Sequence, residues 1–146
     1  MQEALQVLHE EPQLLRNVAG VVSQTDEPSD QAMLLAIVLA FETCRVAVVA
    51  QADDSIDIRS AEGLVEACDI DLSAVSPWNQ AIGKPLMWSW TMTNQQGYFD
   101  GLQLEFAEHS GAEAVVVQAI CIGSELKIRA ISTEYSDWAL GYRNSR

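Results

Sequence analysis

Residues 84–106 read KPLMWSWTMTNQQGYFDGLQLEF, and the reading of this stretch decides the fold. Leu86, Trp88, Trp90 and Met92 alternate with their neighbours, as do Leu102, Leu104 and Phe106. A period of two puts such residues on one face of a strand. Between the two runs lies a polar connection, Asn94-Gln95-Gln96-Gly97-Tyr98, followed by an Asp100-Gly101 step. Two alternating runs joined by a glycine-containing polar turn predict a hairpin. The apolar side of both strands is expected to point inward.

Upstream, residues 76–85 (SPWNQAIGKP) predict a short helix near 77–82. Ser76 is the expected N-cap, because its hydroxyl can accept from the first free N–H groups. Pro77 suits the first helical position, and Trp78 and Ile82 share a face. Gly83 suits a left-handed C-terminal position, and Pro85 blocks continuation. Downstream, residues 115–122 and 126–133 read as strands around a two-residue Gly123-Ser124 loop. Leu126, Ile128 and Ala130 alternate with Lys127 and Arg129, which leaves one wet face. Gly111 marks a loop, and the tail with Trp138, Leu140 and Tyr142 reads as a last helical turn.

The N-terminal half is less regular. Leu5, Leu8, Leu15 and Val18 recur at helical spacing, so residues 2–19 predict helix in two pieces broken at Pro12. Residues 23–31 are loop by composition. Residues 33–41 are apolar without alternation, and Ile37 and Val38 incline them to strand. Residues 45–51 and 56–59 predict two more strands, after turns at 42–44 and 52–55. Residues 60–75 are acidic and lack a clear period. The sum is an α+β fold. A mainly antiparallel, meander-like sheet of about seven strands, flat or strongly curled, carries helices over one face. Residues 1–146 read as a single domain.

Charge narrows the function. Eight Lys and Arg face twenty-one Asp and Glu, a net charge of −13. Such a surface repels nucleic-acid phosphates and anionic headgroups, so neither nucleic acid nor membrane is an expected partner. A basic protein is favoured, although acidity also serves solubility alone. The odd count of cysteines, Cys44, Cys68 and Cys121, without close spacing, argues against a disulfide framework and fits a reducing cytoplasm. The N-terminus lacks the basic and apolar regions of a signal peptide. The longest apolar run, 32–41, is about half a membrane span.

Chemistry has few carriers. His9 and His109 are the only imidazoles, and no GxSxG, GxxxxGK[ST] or GxGxxG motif occurs. No catalytic residue, metal site or cofactor is expected, and the Asp53, Asp54 and Asp57 cluster reads as a solvated turn. The candidates for binding a ligand or partner are Trp88, Trp90, Asn94, Gln96, Tyr98 and Asp100. Amides supply donors and acceptors together, and the rings can form a flat floor. The competing reading makes Trp88 and Trp90 core, with Asn94 and Asp100 bonded to their own turn.

The segment 82–106 also resembles an uncharacterised family of small bacterial proteins. Gly83, Lys84, Trp88, Trp90, Asn94, Gln96, Gly97, Tyr98, Asp100 and Gly101 carry the resemblance, a W-x-W-x-x-x-N-x-Q-G-Y-x-D-G signature. It implies a bacterial cytoplasmic protein of unassigned function and transfers no catalytic residue. The expected function is a non-catalytic protein-interaction module, immunity- or inhibitor-like, for a basic partner. The alternative is a small-molecule binder, or an unrecognised enzyme, with an aromatic and amide pocket around 88–101. An exposed sheet edge would permit homo-oligomers.

Overall fold

The computed structural model describes residues 3–23, 33–61, 68–109 and 112–132. In chain order the elements are α1 (Glu3–Glu10), β1 (Leu15–Val22), β2 (Leu34–Phe41), β3 (Arg45–Ala50), β4 (Ile56–Ser60) and β5 (Ile70–Asp71). They continue with α2 (Trp78–Ala81), β6 (Leu86–Thr93), β7 (Phe99–Phe106), β8 (Val115–Ile122) and β9 (Glu125–Ile131). The strands form two antiparallel sheets, ordered β4-β3-β2-β1-β5 and β6-β7-β8-β9. Antiparallel α+β architecture is therefore present, but the single seven-stranded sheet of the sequence reading is replaced by two sheets of five and four strands.

The two sheets share one core. In the first, Leu39 lies between Val18 and Val46, and Val48 lies between Ile37 and Ile58. In the second, Phe106 lies between Leu86 and Val115, and Leu104 opposes Val117. All these side chains are buried and packed together with Cys121 and Leu126. Each sheet thus has an apolar inner face, and the two inner faces cover each other, while Val38, Ala47 and Ala61 form a second buried cluster on the other side of the first sheet.

The helices do not lie over a sheet face as the sequence reading expects. α1 touches the edge strands β4 and β6 and inserts fully buried Leu8 and nearly buried Leu5 between the sheets. It closes one open side of the sandwich. α2 contributes Trp78, which is 2% exposed, to the same core. Its cap also differs from expectation. Pro77 occupies the N-cap position with no side-chain cap bond, so Ser76 does not play that part. Gly83 does adopt a left-handed φ of 86° just after the helix.

A second correction concerns residues 15–19, which are strand and not helix. β1 and β6 start side by side at a Leu14–Pro85 bridge, then part into separate sheets. Each is bulged at its second residue. Leu15 pairs with Phe41 while Asn17 pairs with Ala40, so Arg16 is extra. Leu86 pairs with Phe106 while Trp88 pairs with Glu105, so Met87 is extra. One extra residue sends every later side chain to the opposite face. In β1 this turns both Leu15 and Val18 inward, a spacing of three that imitates a helix.

Turns hold the sheets in register. Phe41 N–H donates to Cys44 O at 2.8 Å across the β2–β3 turn. Gly123 and Ser124 both have φ of 62°, the double left-handed pattern of a type I′ hairpin. Ser124 N–H donates to Asp54 Oδ1 at 2.6 Å and ties this hairpin to the β3–β4 turn. Gly111 and the tail with Trp138, Leu140 and Tyr142 lie outside the described residues. Among the described residues, no helix is long and apolar enough to cross a membrane.

Candidate functional site

The bulge at Met87 decides where the candidate residues go. After it, Ser89 opposes Leu104 and Thr91 opposes Leu102, so the hydroxyl side chains share the core-facing side of the second sheet. Trp88, Trp90 and Met92 turn to the outer face. Trp88 is 55% exposed and Trp90 46%. The expectation that Leu86 and the two Trp share an inward face is corrected: Leu86 is inward and both rings are outward.

Register places their neighbours. Trp88 opposes Glu105, and Glu105 opposes Val116. Trp90 opposes Gln103, which opposes Gln118, which opposes Arg129. Arg129 Nε donates to Gln118 Oε1 at 2.6 Å, and Gln118 Nε2 lies 3.8 Å from Met92 Sδ. Gly101 opposes Met92, and a Cβ at Gly101 would sit 2.6 Å from Met92 Cε. The missing side chain thus leaves room for the methionine to lie flat. The result is a strip of two open indoles along β6, backed by Glu105, Gln103 and a side-chain network. Indoles offer large apolar area and a π-face to a partner.

The hairpin residues do something different. Asn94 Oδ1 accepts from Gln96 N–H at 2.9 Å and from Tyr98 N–H at 3.2 Å. Asn94 Nδ2 donates to Asp100 Oδ2 at 3.2 Å. Gly97 supplies a φ of 87°. Asn94 and Asp100 therefore build the turn, as an Asn at the start of such a loop often does. Gln96 and Tyr98 remain exposed at the tip, Tyr98 at 47%. The six candidates consequently divide into a two-Trp strip on the sheet and a self-bonded hairpin tip. They do not converge on one pocket.

One contact escaped the sequence reading. His9 Nε2 on α1 lies 3.0 Å from Ser89 Oγ on β6. The two residues border a cleft of about 240 Å³ with Leu5, Gln6 and Thr91. A hydroxyl beside an imidazole is half of an activated nucleophile. Among the described residues no carboxylate bonds the other ring nitrogen, so the orienting third group of a triad has no candidate. Only the inward turn of Ser89 at the bulge could have signalled this contact. A larger cavity, about 490 Å³, is bordered by Thr43, Cys44, Arg45 and Ser60, and contains none of the six candidates.

Electrostatics point away from thiol chemistry. Cys44 and Cys121 carry free thiols. Burial pushes the thiols of Cys44, Cys68 and Cys121 up, which keeps them protonated and weakly nucleophilic. Asp53 is held below the usual carboxylate range by hydrogen bonds from the Ser55 hydroxyl and N–H. Asp54 accepts from Ser124, so these two acids are engaged in turns. Among the described residues no group of three or more His, Cys, Asp or Glu is placed to hold a metal ion.

A model for a family of unknown function, DUF6334, matches residues 1–135, so the chain belongs to that family. No curated protein and no solved structure matches the chain. Membership of an uncharacterised family is what the resemblance across 82–106 led us to expect.

Proposed function

We propose that this DUF6334 protein is a non-catalytic interaction module of the immunity or inhibitor kind, which binds a basic protein partner through the outer face of its second sheet. The observation that carries the reading is the outward pair Trp88 and Trp90, each about half exposed on one strand. Open Trp side chains are frequent binding anchors. The net charge of −13 steers a basic partner toward this surface, and cations stack on indole faces. The free thiols of Cys44 and Cys121 suit a reducing cytoplasm.

Capture from a lysate of the producing cell tests this. Immobilised protein should retain a basic partner at about 50 mM salt and lose much of it at about 300 mM, where screening is stronger. The Trp88→Ala, Trp90→Ala double variant should lose the same partner at low salt. Retention that ignores both salt and the double substitution would overturn the proposal.

A second reading has one observation behind it. Gln103 stands in register beside Trp90, so the strip offers an amide next to a ring, as a small planar ligand would use. Quenching of Trp fluorescence by a metabolite at millimolar concentration, abolished in Trp90→Ala, would favour it.

A further inference from the structure

The free edges of the two sheets are not protected equally. Beyond the two-residue β5, the edge of β1 is covered by other backbone and side-chain groups. Val18 N–H donates to Ser73 Oγ at 2.9 Å, and Val18 O accepts from Leu72 N–H at 2.7 Å. Gly20 O accepts from Asp69 N–H at 2.8 Å, and Val22 N–H donates to Asp69 Oδ2 at 3.0 Å. β4 carries Asp57 and Arg59, paired at 3.6 Å. β9 carries Glu125, Lys127 and Arg129, the first two ion-paired. Charge and cover are the usual devices that keep an edge from pairing with another chain.

β6 lacks the charges, and its cover among the described residues is α1, whose His9 meets Ser89 on the core-facing side. The eight residues of β6, LMWSWTMT, include no charge in a chain of net charge −13. Among the described residues, none of its backbone groups bonds outside the β6–β7 pair. An uncharged, full-length edge flanked by open indoles is a template for strand addition.

Resting on the reading above, we propose that the basic partner docks by adding an extended segment to β6 as a fifth, antiparallel strand of the second sheet. Neighbouring strands lie about 4.8 Å apart, so alternate side chains of the incoming strand would meet Trp88 and Trp90. The residue opposite Trp88 is Lys or Arg. Its cation lies over the indole and reaches toward Glu105, which stands in the same row one strand further in. The residue opposite Trp90 faces a row that continues to Gln103 and is polar. A second copy of this chain fits worse. It brings like net charge, and its own β6 offers no cation to Glu105. The segment is therefore extended, with a basic residue at an alternating position, and joins by main-chain pairing.

The probe is a blocked octapeptide alternating lysine with threonine, set against the same peptide N-methylated at every second residue. At ten times its Kd, the first should slow exchange of the outward β6 amides about tenfold, since protection follows occupancy. The methylated peptide, unable to pair, should give none. Trp88→Ala should weaken the first peptide roughly tenfold, the size of one desolvated cation–π contact. Equal binding of both peptides, with fluorescence quenching and no β6 protection, would overturn strand addition and leave docking on the Trp face standing. No binding of either peptide while lysate capture persists overturns it too. Loss of lysate capture as well removes the underlying reading. β6 protection that rises with protein concentration alone, with a sedimenting dimer, would assign the edge to a second copy.

Discussion

β1 and β6 make a natural pair. Each has eight residues, each is bulged at its second residue, and they separate from a common bridge at Leu14 and Pro85. β1 is then covered along its outer edge by residues 69–73, while β6 meets no described strand there. β1 also turns Arg16 and Asn17 to solvent near its start, whereas β6 turns two indoles outward along its middle. The same local device has opposite uses. In one strand a bulge corrects the phase for burial; in the other it takes aromatic rings out of the core. The contrast shows that a bulge assigns faces but does not decide whether an edge is closed.

The largest expected effect tests the shared part of that comparison. Leu15→Ala and Leu86→Ala should each cost about 2–5 kcal/mol in urea unfolding, because both side chains are sealed in one core. A neutral Leu86→Ala would mean that the β6 phase is wrong. Ser73→Ala comes next, at about 1–3 kcal/mol, since the Val18 N–H loses its side-chain acceptor in a partly buried position. Thr91→Ala, at an exposed position of β6, should shift the urea midpoint little. Gly101→Ala should cost about 1 kcal/mol by crowding Met92, with the cost reduced when Met92→Ala is made in the same chain. Trp88→Ala should change stability by less than about 0.5 kcal/mol, as surface substitutions do, while removing partner capture. A cost above ~2 kcal/mol would identify the ring as core.

Acid gives the smallest signal. Asp71 is held below the usual carboxylate range by the Ser73 N–H, then by the Ser73 hydroxyl. A depressed folded pKa stabilises the protein above the unfolded value, near 3.9, and that contribution is lost as pH falls through the folded value. The loop 69–73 that covers β1 should therefore loosen slightly below about pH 4, and Asp71→Asn should flatten this change in urea midpoints measured from pH 5 to 3.

Legibility followed the same line. The β6–β7 and β8–β9 hairpins were readable because alternating runs flank short turns with Gly97 and Gly123, and the β2–β3–β4 succession was readable for similar reasons. Residues 15–19 were not, because the bulge at Arg16 spaces Leu15 and Val18 as a helix would. Trp88 and Trp90 were identifiable as candidates, yet their phase hung on Met87, a residue with nothing in its type to announce a bulge. Asn94 and Asp100 were equally visible, and the structure uses them to build the turn.

Residue order by itself determined the hairpins, the acidic surface, the aromatic strand and the turn chemistry, since each depends on neighbours within a few positions. Only the tertiary structure decided the split into two sheets, the placement of α1 between β4 and β6, the His9–Ser89 contact and the outward face of the indoles. Those outcomes depend on pairings such as Gly20 with Ile70 and on single-residue shifts of register. A local period cannot record a partner fifty residues away, and one extra residue reverses a face without changing composition.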